Sequence, residues 1–324
     1  MRALLLMIAL LLPAAARAGA ITDATGRNVQ VPETVARVLP AGAPAAVLLA
    51  VLAPDLMLGW PMPLPDDARA MLDPVAAALP QVPHLAGHGE ALAAVVALRP
   101  DLIVDYGTVS PDYIAQAQET QARTGIATLL LDGRLSETPG VLRALGAVLH
   151  REARAESLAR LAEAMLTPPP PPEHPPRVVY LRGTGPLKAA AAGTGATEVF
   201  ARLGWQVLAP PGPGWFRAVT REDVASLDPD ILIFADPAMR ATVAGSADWR
   251  GLRAVREGHA YTAPRLPFGW IEEPPSVNQW LGAAWLAGGD AATLAGLFNA
   301  VAYGRVLPPD ALRAMAQSGL PLPP

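Results

Sequence analysis

Aromatic and arginine side chains gather in a few short segments: Trp60 after Leu58-Gly59, Tyr106 in Tyr106-Gly107-Thr108, Arg182 in Arg182-Gly183-Thr184, the run Trp215-Phe216-Arg217, and Arg265 through Phe268 to Trp270. Rings supply flat contact area and a guanidinium pairs with carboxylate or catecholate oxygens. The set therefore suits capture of a large, flat or lipophilic anionic chelate, with no bond made or broken. His84 and His88 stand four residues apart with Glu90 nearby. On a helix that spacing would put two imidazoles on one face for a metal ion, but Gly87 and Gly89 favour a loop, so direct coordination is the lesser reading. Catalytic signatures are missing: there is no Gly-x-Ser-x-Gly elbow, no His-Glu-x-x-His and no Gly-x-x-x-x-Gly-Lys-Ser/Thr loop. The chain has no cysteine, which excludes thiol nucleophiles, disulfides and Cys-based zinc sites. A binding protein with no cofactor of its own thus stands ahead of an exported hydrolase on the same layers.

Most of these segments follow short apolar runs. Candidate strands are Arg37–Leu39, Leu102–Asp105, Ala127–Leu131, Arg177–Leu181 and Ile231–Ala235. Helical stretches lie between them at Pro44–Leu52, Pro111–Thr124 and Ala196–Leu203. The alternation predicts parallel α/β layers, and open sheets of that kind bind ligands beyond the carboxyl ends of their strands. Trp249, Trp280 and Trp285 fall in helical contexts and read as core.

The first twenty residues have the form of a secretory signal: a charged start at Met1-Arg2, an apolar run from Ala3 to Leu12, and Ala-x-Ala sites ending at Ala18 or Ala20. The apolar run is too short for a membrane span of roughly 20 residues. With no cysteine to carry a lipid, export points to a Gram-negative periplasm. The net charge is −4 and Lys188 is the only lysine, so there is no basic face for nucleic acid.

Two related halves are visible in a weak repeat. Leu98-Arg99-Pro100-Asp101 and Leu227-Asp228-Pro229-Asp230 each end a helical pattern and lead at once into a strand, because proline stops a helix. Between them, Glu137 to Leu166 carries the longest helical pattern in the chain. A helix from Val141 to Leu166 would be roughly 39 Å long, enough to span two lobes. The proline run Pro168 to Pro176 then forms a boundary. The expected plan is a signal peptide at 1–20, an N-terminal α/β lobe at 21–136, an interlobe helix at 137–167, a linker at 168–176, and a C-terminal α/β lobe with terminal helices at 177–324.

The opening Asp23-Ala24-Thr25-Gly26-Arg27, the strand Ala36-Arg37-Val38-Leu39, both Leu-x-Pro-Asp units and the stretch Trp249 to Tyr261 together resemble one family. It is the class III periplasmic binding proteins for ferric siderophores, haem and cobalamin. The resemblance covers nearly the whole mature chain and implies two Rossmann-like lobes joined by a single long α-helix, with the ligand in a cleft between them. It implies a monomer that carries a metal chelate, a ferric siderophore or other iron complex first, to an inner-membrane ABC permease. Haem and cobalamin are alternatives. The segment Pro267 to Gly282 resembles a subgroup some of whose members take molybdate or tungstate, which keeps an oxyanion in play. In this family a glutamate on each lobe tip meets arginines of the permease. Glu222, seven residues before Pro229, matches that pattern; Ala93 holds the equivalent place before Pro100, leaving Glu90 one turn earlier as the N-lobe candidate.

Overall fold

A computed structural model describes residues 19–85 and 90–318. Most of the expected signal peptide, and His88, lie outside the described residues. Strands β1 (Gly19–Thr22) and β2 (Asn28–Val31) form an antiparallel hairpin. Its turn is set by Asp23, whose carboxylate accepts from the backbone N–H groups of Thr25 and Arg27 and from Arg27 Nε at 3.0 Å. Arg27 also donates to the Thr128 carbonyl at 2.9 Å, which ties the hairpin to the first sheet.

That first sheet is parallel, in the order β3-β4-β5. It is built from β3 (Val38–Pro40), α1 (Ala43–Leu52), the short α2 (Asp66–Arg69) and α3 (Pro74–Ala78), α4 (Glu90–Ala97), β4 (Leu102–Gly107), α5 (Pro111–Thr124) and β5 (Ala127–Asp132). Helix α1 is buried on every side from Ala45 to Leu52, as a helix apolar all round must be. The chain then crosses through α6 (Thr138–Val148) and α7 (Glu152–Met165). The second lobe contains β6 (Arg177–Arg182), β7 (Leu187–Ala190), α8 (Glu198–Arg202), β8 (Gln206–Val207), β9 (Phe216–Val219), α9 (Arg221–Leu227), β10 (Ile231–Phe234), α10 (Met239–Gly245), α11 (Ala247–Arg250), α12 (Arg253–Arg256) and β11 (Ala260–Thr262). Its sheet runs β11-β10-β6-β7-β9, with β8 also on β6; the core is parallel and β7 and β9 are antiparallel additions. Helices α13 (Gln279–Leu286), α14 (Ala291–Ala302) and α15 (Pro309–Ser318) close the chain. Among the described residues no helix is long and apolar enough to cross a membrane.

The sequence repeat is a structural one. Arg99 and Asp228, each just before the proline, have left-handed φ of 49° and 41° and end α4 and α9. In the first lobe Arg37 donates to the carbonyls of Leu98 and Arg99, and Asp101 accepts from the Ala36 and Arg37 N–H groups. In the second, Arg177 donates to the carbonyls of Leu227 and Asp228, and Asp230 accepts from the Arg177 N–H. Each clasp satisfies helix-end carbonyls and starts the neighbouring strand in one step.

The single helix expected over 137–167 is instead two. His150 takes a left-handed φ of 53°, and the Arg151 N–H reaches back to Gly146 O at 2.7 Å, closing α6 with a Schellman turn. No glycine or proline marks that turn, which is why the helical pattern reads straight through it. Helix α7 folds back on α6 so closely that a Cβ at Gly146 would lie 2.2 Å from that of Ala155. The second helix alone is about 21 Å long at 1.5 Å per residue.

One apolar core runs through both lobes, from Leu48 of α1 and Val104 of β4 past Leu158 of α7 to Tyr180, Phe200, Trp280 and Phe298. Arg154 of α7 ties it at the edge: its guanidinium donates to Val51 O at 2.9 Å, to Val301 O at 2.6 Å and to Ala302 O, the carboxyl ends of α1 and α14. Arg154→Met keeps the aliphatic stem but leaves those carbonyls without a donor. It is expected to lower the unfolding free energy by about 2–4 kcal/mol in a urea titration.

Candidate functional site

A cleft of about 920 Å³ opens between the lobes at the carboxyl ends of the strands. The first-lobe wall is the turn Ala41–Pro44 between β3 and α1, the end of β4 from Asp105 to Thr108, the first turns of α5 with Asp112, Tyr113 and Gln116, and His84. The second-lobe wall is Arg182 at the end of β6, Trp215 before β9, and the loop after β11, with Arg265 and Glu272 to Pro275.

That loop is held rigidly. Asn278 donates to the carbonyls of Gly269 and Pro274, and Gln279 to those of Gly195 and Ile271. Gly269 is required because a Cβ there would stand 2.0 Å from Glu272 O, and Gly282 of α13 because a Cβ would stand 2.1 Å from Trp270 O. Glu273 has a left-handed φ of 77°, unusual for a residue with a side chain, and is kept there by this packing.

The loop brings two carboxylates onto two guanidinium groups. Glu272 Oε1 accepts from Tyr180 Oη at 3.1 Å and lies 3.2 Å from Arg182 Nε. Glu273 Oε1 lies 3.3 Å from Arg182 Nη2 and its Oε2 3.3 Å from Arg265 Nη2. Arg182 also rests on the Phe216 ring, 4.7 Å from its centroid. Burial pushes the Glu272 carboxyl up to about 7, against the opposing pull of Arg182, and raises Asp105 as well.

Of the residues expected to meet ligand, Arg182, Trp215 and Arg265 line the cleft, and Trp215 is 38% exposed. Phe216 supports Arg182 from a side recess. Arg217 turns to the Pro210 carbonyl, because successive strand residues point to opposite sides. Trp60 and Phe268 are buried against each other, with ring centroids 5.7 Å apart, and Trp60 donates to Ala76 O. Trp270 is fully buried and donates to Leu266 O. These three tryptophan and phenylalanine side chains set the loop's position from behind. The Tyr106 side chain is also buried, with its hydroxyl on Thr138, and burial pushes its pKa up. His84 lines the cleft. Among the described residues no group of three His, Asp or Glu side chains could hold a metal ion.

Both cleft arginines are paired with carboxylates of the loop after β11. The carboxylates that pair them, and Asp105, Asp112, Tyr113 and Gln116, were not singled out from sequence. The strand-end rule extends to them, since the first turn of α5 follows β4 after a short loop. Glu222 lies on the surface in the first turn of α9, paired with Arg221, while a capping box joins Thr220 and Asp223. Glu90 opens α4, the helix equivalent to α9 in the first lobe.

A family model described as periplasmic binding protein matches residues 73–266, more than half of the chain. No curated protein matches. Among solved structures, an ABC transporter solute binding protein from Sulfurospirillum deleyianum is similar at 23% identity and TM-score 0.80, over 93% of this chain and 99% of that one. The molybdate periplasmic binding protein of Haemophilus influenzae is similar at 15% identity and TM-score 0.70, over 90% and 100%. A periplasmic heme-binding protein from Roseiflexus is similar at 16% identity and TM-score 0.54, over 78% and 97%.

Because the folded-state pKa of Glu272 is raised, the folded protein holds its proton more tightly than the unfolded chain. That stabilisation is complete below the ordinary value of 4.5 and is lost as pH rises through about 7. Urea titrations should show wild-type stability falling relative to Glu272→Gln by roughly 3 kcal/mol between about pH 4.5 and pH 8. Parallel pH curves for the two proteins would contradict the assignment.

Proposed function

The chain belongs to the periplasmic binding protein family, and on that premise we propose that it is the substrate-binding component of an ABC importer. It captures a metal chelate, a ferric siderophore or other iron complex first, and delivers it to the inner-membrane permease. The carrying observation is the cleft: its volume of about 920 Å³ lies toward the top of the ~300–1,000 Å³ range of small-molecule sites, with the exposed Trp215 and Tyr113 at its walls. Haem and cobalamin are further chelates of fitting size. A bare molybdate or tungstate ion would leave most of that volume to water and would find both guanidinium groups engaged. Likeness to the Haemophilus protein and the subgroup resemblance of Pro267 to Gly282 favour it.

In this reading residues 1–20 direct export and are removed, and the monomer works in the periplasm. Residues 21–136 and 177–324 are the two lobes, with α7 the stiff connector that limits closure. Glu222 is the second-lobe contact to permease arginines, and Glu90 stands in for the missing first-lobe partner. The support for Glu222 is its place: an exposed carboxylate on a capped helix end, away from the cleft.

Calorimetric titration of the mature chain with ferric siderophores, haemin, cobalamin and molybdate should give binding by at least one metal chelate. Trp215→Ala should weaken that binding about tenfold. A folded protein that binds none of them would sink the chelate reading. Glu222→Arg should leave ligand affinity intact and reduce uptake by cells to background; loss of affinity in that variant would contradict the docking role.

A further inference from the structure

Charge is matched on one wall of the cleft and unmatched on the other. The two guanidinium groups lining it, Arg182 and Arg265, share a single carboxylate, with one oxygen of Glu273 facing each at 3.3 Å. Arg182 has Glu272 as well, at 3.2 Å. Across the cleft, Asp105 and Asp112 form no ion pair with any cation among the described residues. Four acidic groups, two of them (Glu272 and Asp105) with pKa raised by burial, therefore share the cleft with two arginines and His84.

Glu273 does not reach its position by chance of rotamer. Its backbone sits at a φ of 77°, a conformation that side chains disfavour, and the packed Gly269 turn and the Asn278 hydrogen bonds keep it there. A strained residue held over both cations of a binding cleft is a feature with a use. An arriving anion meets guanidinium groups whose charge is already partly offset, and must also approach the carboxylates that offset it.

We propose that Glu273 determines the charge specificity of the cleft: by pairing with Arg182 and Arg265 together it offsets part of their charge and disfavours multiply charged anions, so the ligand accepted is a metal complex of zero or positive net charge. This rests on the chelate reading above. The arginines then serve as hydrogen-bond donors, with Arg182 stacked on Phe216, rather than as anion traps.

The test is calorimetric titration of the full mature chain with two iron chelates, an uncharged ferric trihydroxamate and a trianionic ferric tricatecholate. Wild type should prefer the uncharged complex by about tenfold or more. In Glu273→Gln, with circular dichroism unchanged, the affinity ratio of trianion to uncharged complex should rise by about tenfold, and adding Arg265→Gln should cancel most of that rise. A wild type that prefers the trianion overturns the proposal while leaving the chelate reading in place. So does a ratio that stays constant or falls in Glu273→Gln, since Glu273 would then be aiming the arginines at an anion. Failure of both chelates to bind either protein overturns this inference, whereas the chelate reading falls only if haemin and cobalamin fail as well.

Discussion

One interaction recurs at four joins of this fold: a guanidinium seated on the carbonyls that end a helix. Arg37 does so for α4 and Arg177 for α9. Arg154 serves α1 and α14 together, and Arg202 of α8 donates to Leu166 O at the end of α7. The last carbonyls of a helix have no partner inside it and carry its negative pole, so a planar cation with several donors satisfies both needs. In each lobe the clasp also fixes where a strand begins, and thereby where its carboxyl end delivers the cleft loops.

The lobes are not independent bodies joined by a tether. A common apolar core passes beneath the cleft through α7, α13 and α14, and the loop after β11 is stitched to α13 by Asn278 and Gln279. Close packing of this kind resists large hinge motion. The cost of rigidity appears at Glu273, whose backbone, alone among the described cleft residues, is forced into a left-handed conformation. Strain, ion pairing and exposure to the cleft meet at that position.

Much of the frame was legible from sequence. Strands at Leu102, Ala127, Arg177 and Ile231 begin where short apolar runs begin, and Pro111–Thr124 is a helix with those bounds. The Leu-x-Pro-Asp units were visible as a repeat because proline and aspartate act locally, on the residue before and the strand after. The break at Leu149–Arg151 was not legible, since His150 occupies a left-handed position that normally announces itself with glycine. The position of Trp60, Phe268 and Trp270 in strand-end segments reads as cleft, yet a large ring fills a core as readily as it lines a pocket, and nothing local separates the two.

By itself the sequence determined the α/β class, the repeated Leu-x-Pro-Asp units and the end of the sheets at which the cleft opens, because these follow from periodicity and from residues whose effect reaches only a few positions. Tertiary structure alone decided which side chains face the cleft and what charge they present. Glu272 and Glu273 lie about ninety residues from Arg182, and only the packing of the loop on α13 brings them together. An arginine read in isolation is a free cation; beside a carboxylate held by strained backbone its charge is partly offset, and that pairing is a property of distance in space.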